Sequence, residues 1–429
     1  MSRASLGTAV VAVVLGCACN VGVIKDPHQD GAVDGAVDPD GAPGPDAALQ
    51  DAGPGTDAAP TDGTVPTDSE VSADAAPGPD AAPGPPVNRF GIGLVGPGNT
   101  GQWDLTADLV GHGGHIKLIF PGIDLSTSGP DASWVTAVQQ SYNRELVPVI
   151  RLGPHWGDRH IRNMSDDASR ATYTQIAQRY RQVVEGLPLR AGWPLYLEIH
   201  NEPNLCYEWE CNASEAPAHA GTPAGWMHYS DIAHEYAYFL RDVADALHAI
   251  GDPRIQVLNG ALAPGGAVTC ECGGAGFTAG VTALDFLAEM AAVVPSIWSR
   301  LDGWASHAYP AEGLGWGFFV AYANSMPGLL FFENELAAIG VSLPVFITET
   351  GWTTDAGAYG SRQDIATWTV DAYNNPWLTH ADIAAVMPFM LQDSSWDAFA
   401  WVEGNGNPYP VYTAVRAHRC SLGVQGNCP

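Results

Sequence analysis

Two segments of this sequence place a glutamate where an apolar, β-branched run gives way to a polar loop. One reads Glu198-Ile199-His200-Asn201-Glu202-Pro203-Asn204 and the other Phe346-Ile347-Thr348-Glu349-Thr350-Gly351-Trp352. Two carboxyl groups that face each other can break a glycosidic bond: one, protonated, releases the leaving oxygen, and the other, ionised, attacks or activates water. Glu202 and Glu349 are the candidate pair. Seen alone, Glu202 also reads as an ordinary polar strand end with Pro203 as a loop brake; the second glutamate favours the chemical reading.

Other runs end the same way. Ser306-His307-Ala308-Tyr309-Pro310 offers a phenol, and a phenol that donates to a carboxylate stabilises its ionised form, as a nucleophile requires. Arg151-Leu152-Gly153-Pro154-His155-Trp156 and Gln392-Asp393-Ser394-Ser395-Trp396 add cationic and aromatic candidates. Glu198 lies four residues before Glu202, on the same strand face but deeper, and reads as a buried hydrogen-bonding residue. His200, facing the other way, is expected to support Asn201. His112 and His115 have the look of a metal pair, but the glycines around them read better as a loop leading into a strand. Most tryptophans are expected in helix-sheet packing, as for Trp368 in step with Ile365 and Ala372. Those after strands, namely Trp103, Trp156, Trp209, Trp226, Trp316, Trp352, Trp396 and Trp401, are candidates to stack on sugar rings, with Trp103 and Trp352 foremost.

Such residues act together only if the strands that carry them end on one rim. Strand-like runs are Phe90 to Leu94, His115 to Phe120, Val147 to Leu152, Leu195 to Ile199, Ile255 to Leu258, Leu301 to Ala305, Val345 to Thr348 and Ile383 to Met390. Between them lie helical patterns such as Ser230 to Gly251, where Ile232, Tyr236, Phe239, Leu240, Val243, Leu247 and Ile250 recur every three or four residues; Ser230 is the expected N-cap, and Gly251 the residue past the end. Near-continuous apolar strands alternating with helices predict an α/β fold with a parallel sheet. Eight such strands, within residues 88–429, suit a (β/α)8 TIM barrel, whose strand ends and following loops line one mouth. A doubly wound open sheet is the alternative, but no glycine-rich phosphate loop follows the first strand.

The motifs Asn201-Glu202-Pro203 and Thr348-Glu349, with His307-Ala308-Tyr309 between them, resemble the retaining (β/α)8 glycosidases of glycoside hydrolase clan A, in their cellulase-like branch. The resemblance spans about residues 88–415. It implies that Glu202 is the acid/base and Glu349 the nucleophile, that Tyr309 hydrogen-bonds Glu349, and that Asn201, His307 and His155 contact sugar. It also implies that Trp396 or Trp401 is the platform under the scissile sugar, and that no cofactor or metal is needed. One departure stands out. The family carries an arginine on strand two near the nucleophile, whereas this strand reads His115-Ile116-Lys117-Leu118. Lys117 can replace it as a point charge, without the planar fork of a guanidinium; Arg151 on strand three is the other candidate. The resemblance implies a β-linked polysaccharide or oligosaccharide substrate cut by double displacement, and the spread of tryptophans over loops all round the rim favours endo action. An exo-acting, xylosidase-like enzyme and a non-catalytic glycan-binding barrel are the alternatives.

The rest of the chain bears on location. The formal net charge of -29 opposes nucleic acid as a partner. Residues 1–17 read as an export signal with Arg3 in the n-region, and Val14-Leu15-Gly16-Cys17 resembles a bacterial lipobox. Residues 18–87 read as a disordered acidic spacer. From Asp26 to Val87 there are 12 Asp and neither Lys, Arg nor any aromatic residue, so the segment buries too little apolar surface to offset its ordering entropy. A monomeric exported protein is expected, either secreted or held at the cell surface, with a lipid on Cys17 as its membrane contact. Cys206, Cys211, Cys270, Cys272, Cys420 and Cys428 read as disulfide partners of open connectivity, with Cys420 and Cys428 suited to pin the tail and a zinc site as the lesser reading for the first four.

Overall fold

The computed structural model describes residues 84–94, 100–155, 161–209, 229–264, 269–270, 277–278, 282–312, 319–354 and 360–428. The lipobox, the spacer up to residue 83, Trp156, Trp226, Trp316, Cys211 and Cys272 lie outside them.

Among the described residues, beside the short antiparallel pair Thr269–Cys270 and Phe277–Thr278, eight strands build the barrel in the order of the chain: β1 Gly91–Leu94, β2 His115–Pro121, β3 Val147–Gly153, β4 Leu195–Ile199, β5 Ile255–Leu258, β6 Trp304–Ser306, β7 Val345–Ile347 and β8 Ile383–Val386. All neighbouring pairs in the barrel are parallel. β1 to β5 form one ladder and β6 to β8 another. Bridges Leu258 to Gly303 and Phe90 to Val386 join the two ladders and close the cylinder. After each strand comes a helix: α1 Thr100–Val110, α2 Ala132–Asn143, α3 Thr174–Glu185, α4 Tyr229–His248, α5 Ala283–Val293, α6 Phe331–Ile339, α7 Arg362–Ala372 and α8 Pro410–Ser421. The chain therefore folds as a (β/α)8 barrel.

Local chemistry explains these elements. β1 reads GIGL: Ile92 and Leu94 are buried in the main core, while a side chain at Gly91 would collide with the Met387 side chain at 2.6 Å. Glycine there leaves the barrel interior to Met387. α3 buries Ile176, Ala177, Tyr180, Val183 and Val184, a stripe at helical spacing that meets α4. Asp131 caps α2, Thr282 caps α5, and Ser361 with Asp364 forms a capping box on α7. At the strands' N-terminal end the buried Arg419 guanidinium donates to the carbonyls of Leu109 and Val424, and the Cys420–Cys428 disulfide holds the tail beside it.

Most strand ends fall within one residue of the sequence expectation, and three features depart from it further. β6 begins at Trp304 rather than Leu301, because Leu301 ends a 3-10 turn and Asp302 spends its carboxylate on the Val257 N–H at 2.7 Å. β8 stops as a regular strand at Val386, and Pro388 lacks the N–H that a ladder needs. The segment still bonds both neighbours, Phe389 N–H to Thr350 and Leu391 N–H to Gly93. Ser230 lies inside α4, which already runs from Tyr229, so it is not the N-cap; Gly251, at φ 78°, does follow the helix end. Among the described residues no helix is long and apolar enough to cross a membrane.

Candidate active site

Side chains alternate along each strand, so every second residue enters the barrel. One inner layer is apolar, built on Val149, Leu258, Ala305, Phe346, Ala385 and Met387, with Tyr196 packed against it. Two residues further along the same strands the character reverses: Val149 is followed by Arg151, Tyr196 by Glu198 and Ala305 by His307. Lys117 on β2 joins this second layer. Beyond it, at the strand ends, stand Asn201, Glu202, Tyr309 and Glu349.

Glu349 is the best-connected of these groups. The Lys117 Nζ donates to its Oε1 at 3.0 Å, the Arg151 guanidinium lies 3.7 Å from the same oxygen, and the Tyr309 hydroxyl donates to Oε2 at 3.1 Å. Thr350 fixes the backbone beside it by donating from Oγ1 to the Ala308 carbonyl at 2.7 Å, which keeps the ends of β6 and β7 side by side. Burial opposes ionisation here, but His307, Lys117 and Arg151 outweigh it and hold the Glu349 carboxyl down at about 2. Glu349 is thus an anion at neutral pH. Both cationic candidates reach it, Lys117 more closely than Arg151.

Lys117 is itself 2% exposed, and its ammonium also sits 3.2 Å from Glu198, which is wholly buried. Burial would raise the Glu198 pKa, but Lys117 and His307 together lower it. Glu198 is the buried layer residue that its position in the strand implies.

Glu202 comes after β4 at a backbone φ of 38°, and His200 at 79°; neither is glycine, so the turn that aims the carboxylate is strained. Asn204 over-determines that turn: its amide donates to the Ala263 carbonyl and accepts from the Ala263 N–H, both at 2.9 Å. The Glu202 Oε1 lies 2.8 Å from the His307 Nδ1. His307 also has Glu198 and Glu349 at 3.6 and 3.8 Å, and Lys117 at 3.4 Å, on its other nitrogen. Burial and Lys117 disfavour its charged form, yet Glu349 and the hydrogen bonds to Glu198 and Glu202 raise its pKa to about 9.

Ligand atoms of Glu202, His307 and Glu349 all lie within 4.8 Å of one another, so the two carboxylates meet across the mouth. The same three could surround a cation. Lys117 at 3.0 Å and Arg151 at 3.7 Å from Glu349 already neutralise the site and oppose another positive charge. The other histidine reading resolves as the loop: His115 is buried in β2, with its pKa pushed by burial down to about 4, and His112 pairs with Glu145 at 3.5 Å beyond the strands' other end.

Two residues next to this centre carry no sequence signal beyond their type. Glu208, in the single helical turn Cys206–Trp209, accepts from the Asn201 Nδ2 at 3.0 Å, and Arg151 donates to the Asn201 Oδ1 at 2.5 Å. Glu335 on α6 lies under β6. It accepts from Trp304 Nε1 at 3.0 Å and Ser306 Oγ at 2.6 Å, and burial raises its pKa to about 7.

The aromatic expectations need correction. Trp103 lies on α1, not in a loop, and at 2% exposure it packs in the core, with the Arg144 guanidinium 6.0 Å from its ring. Trp352 is also 2% exposed; its indole N–H donates to the Val320 carbonyl and its ring meets Trp368 and Trp377. Trp209 and Trp401 are buried as well. These rings exclude water from the helix-sheet seam and offer no open face to a sugar. Trp396, in contrast, is 53% exposed. It leads an edge-to-face series through Phe389 and Phe399 to Phe319 and Tyr309, the last of which touches Glu349. The phenylalanines of that ledge escape a search for tryptophan alone. His155 is exposed, 3.9 Å from Asp124.

Solved structures are similar to this chain. A family 39 glycoside hydrolase from the gut symbiont Bacteroides cellulosilyticus WH2 is similar with a TM-score of 0.50 and 16% identity, over 79% of this chain and 64% of that one. The present chain therefore spans a little under two thirds of that protein. A family 39 β-xylosidase from Caulobacter crescentus matches at TM-score 0.49 and 18% identity, over 80% of this chain and 73% of that one. A family 128 endo-β-1,3-glucanase from Sorangium cellulosum matches at TM-score 0.44 and 16% identity, over 77% and 98%. At these identities the likeness is one of fold. No protein-family model and no curated protein sequence matches the chain.

Proposed function

We propose that this protein is a retaining glycoside hydrolase acting on a β-linked polysaccharide. The observation that carries the reading is the approach of Glu202 and Glu349, whose nearest oxygens lie within 4.8 Å while Lys117, Arg151 and Tyr309 attend only the second. Retaining enzymes hold their carboxyl groups about 5 to 5.5 Å apart, and inverting ones leave about 6.5 to 9.5 Å for a water. Glu349, ionised, held by two hydrogen-bond donors and faced by the Arg151 cation, attacks the anomeric carbon as Glu202 protonates the departing oxygen. Glu202, now ionised, then takes a proton from a water whose oxygen attacks the anomeric carbon and displaces Glu349, which releases the sugar with its original configuration.

The exposed Trp396 and the aromatic ledge behind it favour a chain laid across the mouth, and hence endo cleavage. Proton NMR of the first product, with viscometry on mannan, xylan, β-1,4-glucan and β-1,3-glucan, tests both points. Initial β-anomer and an early fall in viscosity are the expected results. Initial α-anomer removes the covalent route, and monosaccharide as the sole early product replaces endo with exo action. The N-terminal segments add to the proposal an exported protein anchored through lipidated Cys17; incorporation of a fatty-acid analogue, lost in Cys17→Ser, is the result expected.

A further inference from the structure

The turn that carries Glu202 is strapped, rung by rung, to the segment that leaves the neighbouring strand β5. The Glu202 N–H donates to the Ala261 carbonyl at 2.9 Å, and two residues on, the Asn204 amide takes both backbone groups of Ala263. At the base of this strap, ahead of the left-handed His200, stands a side chain from a third element. Tyr236 on α4, wholly buried, donates its hydroxyl to the Ile199 carbonyl at 2.9 Å and accepts from the Gly260 N–H at 2.6 Å. One oxygen thus joins the ends of β4 and β5. The approach is close enough to require glycine at 260, since a Cβ there would stand 2.5 Å from the Ile199 carbonyl oxygen and 2.9 Å from the Tyr236 oxygen.

Packing alone does not require that hydroxyl. Tyr180 on α3 is equally buried and its ring also meets Phe239, yet its own hydroxyl finds no partner among the described residues. Backbone at φ 79° and 38°, as at His200 and Glu202, persists only where its surroundings over-determine it. We infer that Tyr236 is a positioning residue for the acid/base: by joining the ends of β4 and β5 through its hydroxyl, it sets the base of the strap that aims the Glu202 carboxyl at the departing oxygen. This rests on the glycosidase reading above. Loss of the hydroxyl leaves the buried Gly260 N–H without its acceptor and lets the turn relax, and a displacement of about 1 Å at a reacting group can cost about a hundredfold.

The test is a series of aryl β-glycosides graded by the acidity of the departing phenol and read as kcat/KM, which reports the first bond cleavage. Tyr236→Phe should lose about tenfold or more on the phenyl member, which needs a proton, and less than about twofold on the dinitrophenyl member, which does not. Tyr180→Phe should change neither. The ratio of two rates on one preparation is independent of the fraction folded, so lower stability cannot imitate this gradient. Should Tyr236→Phe fail to fold, Asn204→Ala, which releases the other end of the strap, is judged by the same ratio. A loss equal on both members, or the same gradient in Tyr180→Phe, overturns the inference alone. Glu202→Gln on the same series checks the reading beneath it: if its loss does not grow as the phenol becomes less acidic, or if the wild type cleaves no member, the acid/base assignment fails and the inference falls with it.

Discussion

Two layers of the same barrel, one residue pair apart on the same strands, are opposite in kind. The deeper layer, with Val149, Leu258, Phe346 and Met387, is apolar apart from the buried His115 and Tyr196 that pack on Phe346. The layer above it holds Lys117, Arg151, Glu198 and His307, and leads to Glu349. The deeper layer stabilises by removing apolar surface from water. The upper one loses hydration and recovers it only through mutual pairing, so its stability depends on every partner being present.

The sharpest way to break this division is at the carboxylates. Glu349→Gln should abolish hydrolysis of both polysaccharide and activated aryl glycosides. Glu202→Gln should lose roughly 10² to 10⁴-fold on poor leaving groups and keep part of its rate on activated aryl substrates, which need no proton. Parallel losses in the two variants would show that the roles are not divided.

Next come paired substitutions in the two layers. Phe346→Ala should cost about 3–5 kcal/mol of stability by leaving a cavity, yet leave the pH profile of whatever folds unchanged. Lys117→Met should cost a comparable 3–5 kcal/mol through uncompensated buried carboxylates, and should also lower activity and raise the pH at which the acid limb begins, as Glu349 loses its nearest cation. Chemical denaturation and pH–rate profiles separate the two; a Lys117→Met protein as stable and as acid-tolerant as wild type contradicts the account of the upper layer.

His307 gives a smaller, pH-dependent effect. Its folded pKa is raised to about 9 from an ordinary value of about 6.5. The stability it contributes is therefore complete below pH 6.5 and is lost as pH rises through about 9. Melting temperature should decline over that window in wild type and less in His307→Asn. Parallel declines would remove His307 as the cause.

The smallest effect expected is at the rim. Trp396→Ala should weaken polysaccharide binding by about 0.5–1.5 kcal/mol, visible in KM, with little change in stability because the ring is largely exposed. Trp352→Ala should do the reverse. A large KM effect at Trp352 would restore the reading of that residue as a sugar platform.

The sequence by itself determined the architecture and marked Glu202 and Glu349 as a candidate pair. Apolar runs recur with period two, helical stripes with period three to four, and both are local properties of the chain. Asn201-Glu202-Pro203 and Thr348-Glu349 stand past strand ends, where a barrel gathers its polar groups, and Glu198 is deep because it lies within β4, ahead of the turn that carries Glu202. What each side chain touches was decided only by closure of the cylinder. Lys117 and Arg151 both reach Glu349 because sheet closure brings side chains of β2 and β3 to the end of β7, a relation with no counterpart in linear spacing. Trp103 and Trp352 turn into the helix-sheet seam, while Trp396 turns outward, since large rings bury wherever the packing leaves room for them. Glu208 shows the limit most plainly. In the sequence it is one acidic residue in a loop, and it becomes part of the site because a helical turn tied to His200 and Glu235 carries its carboxylate back to Asn201.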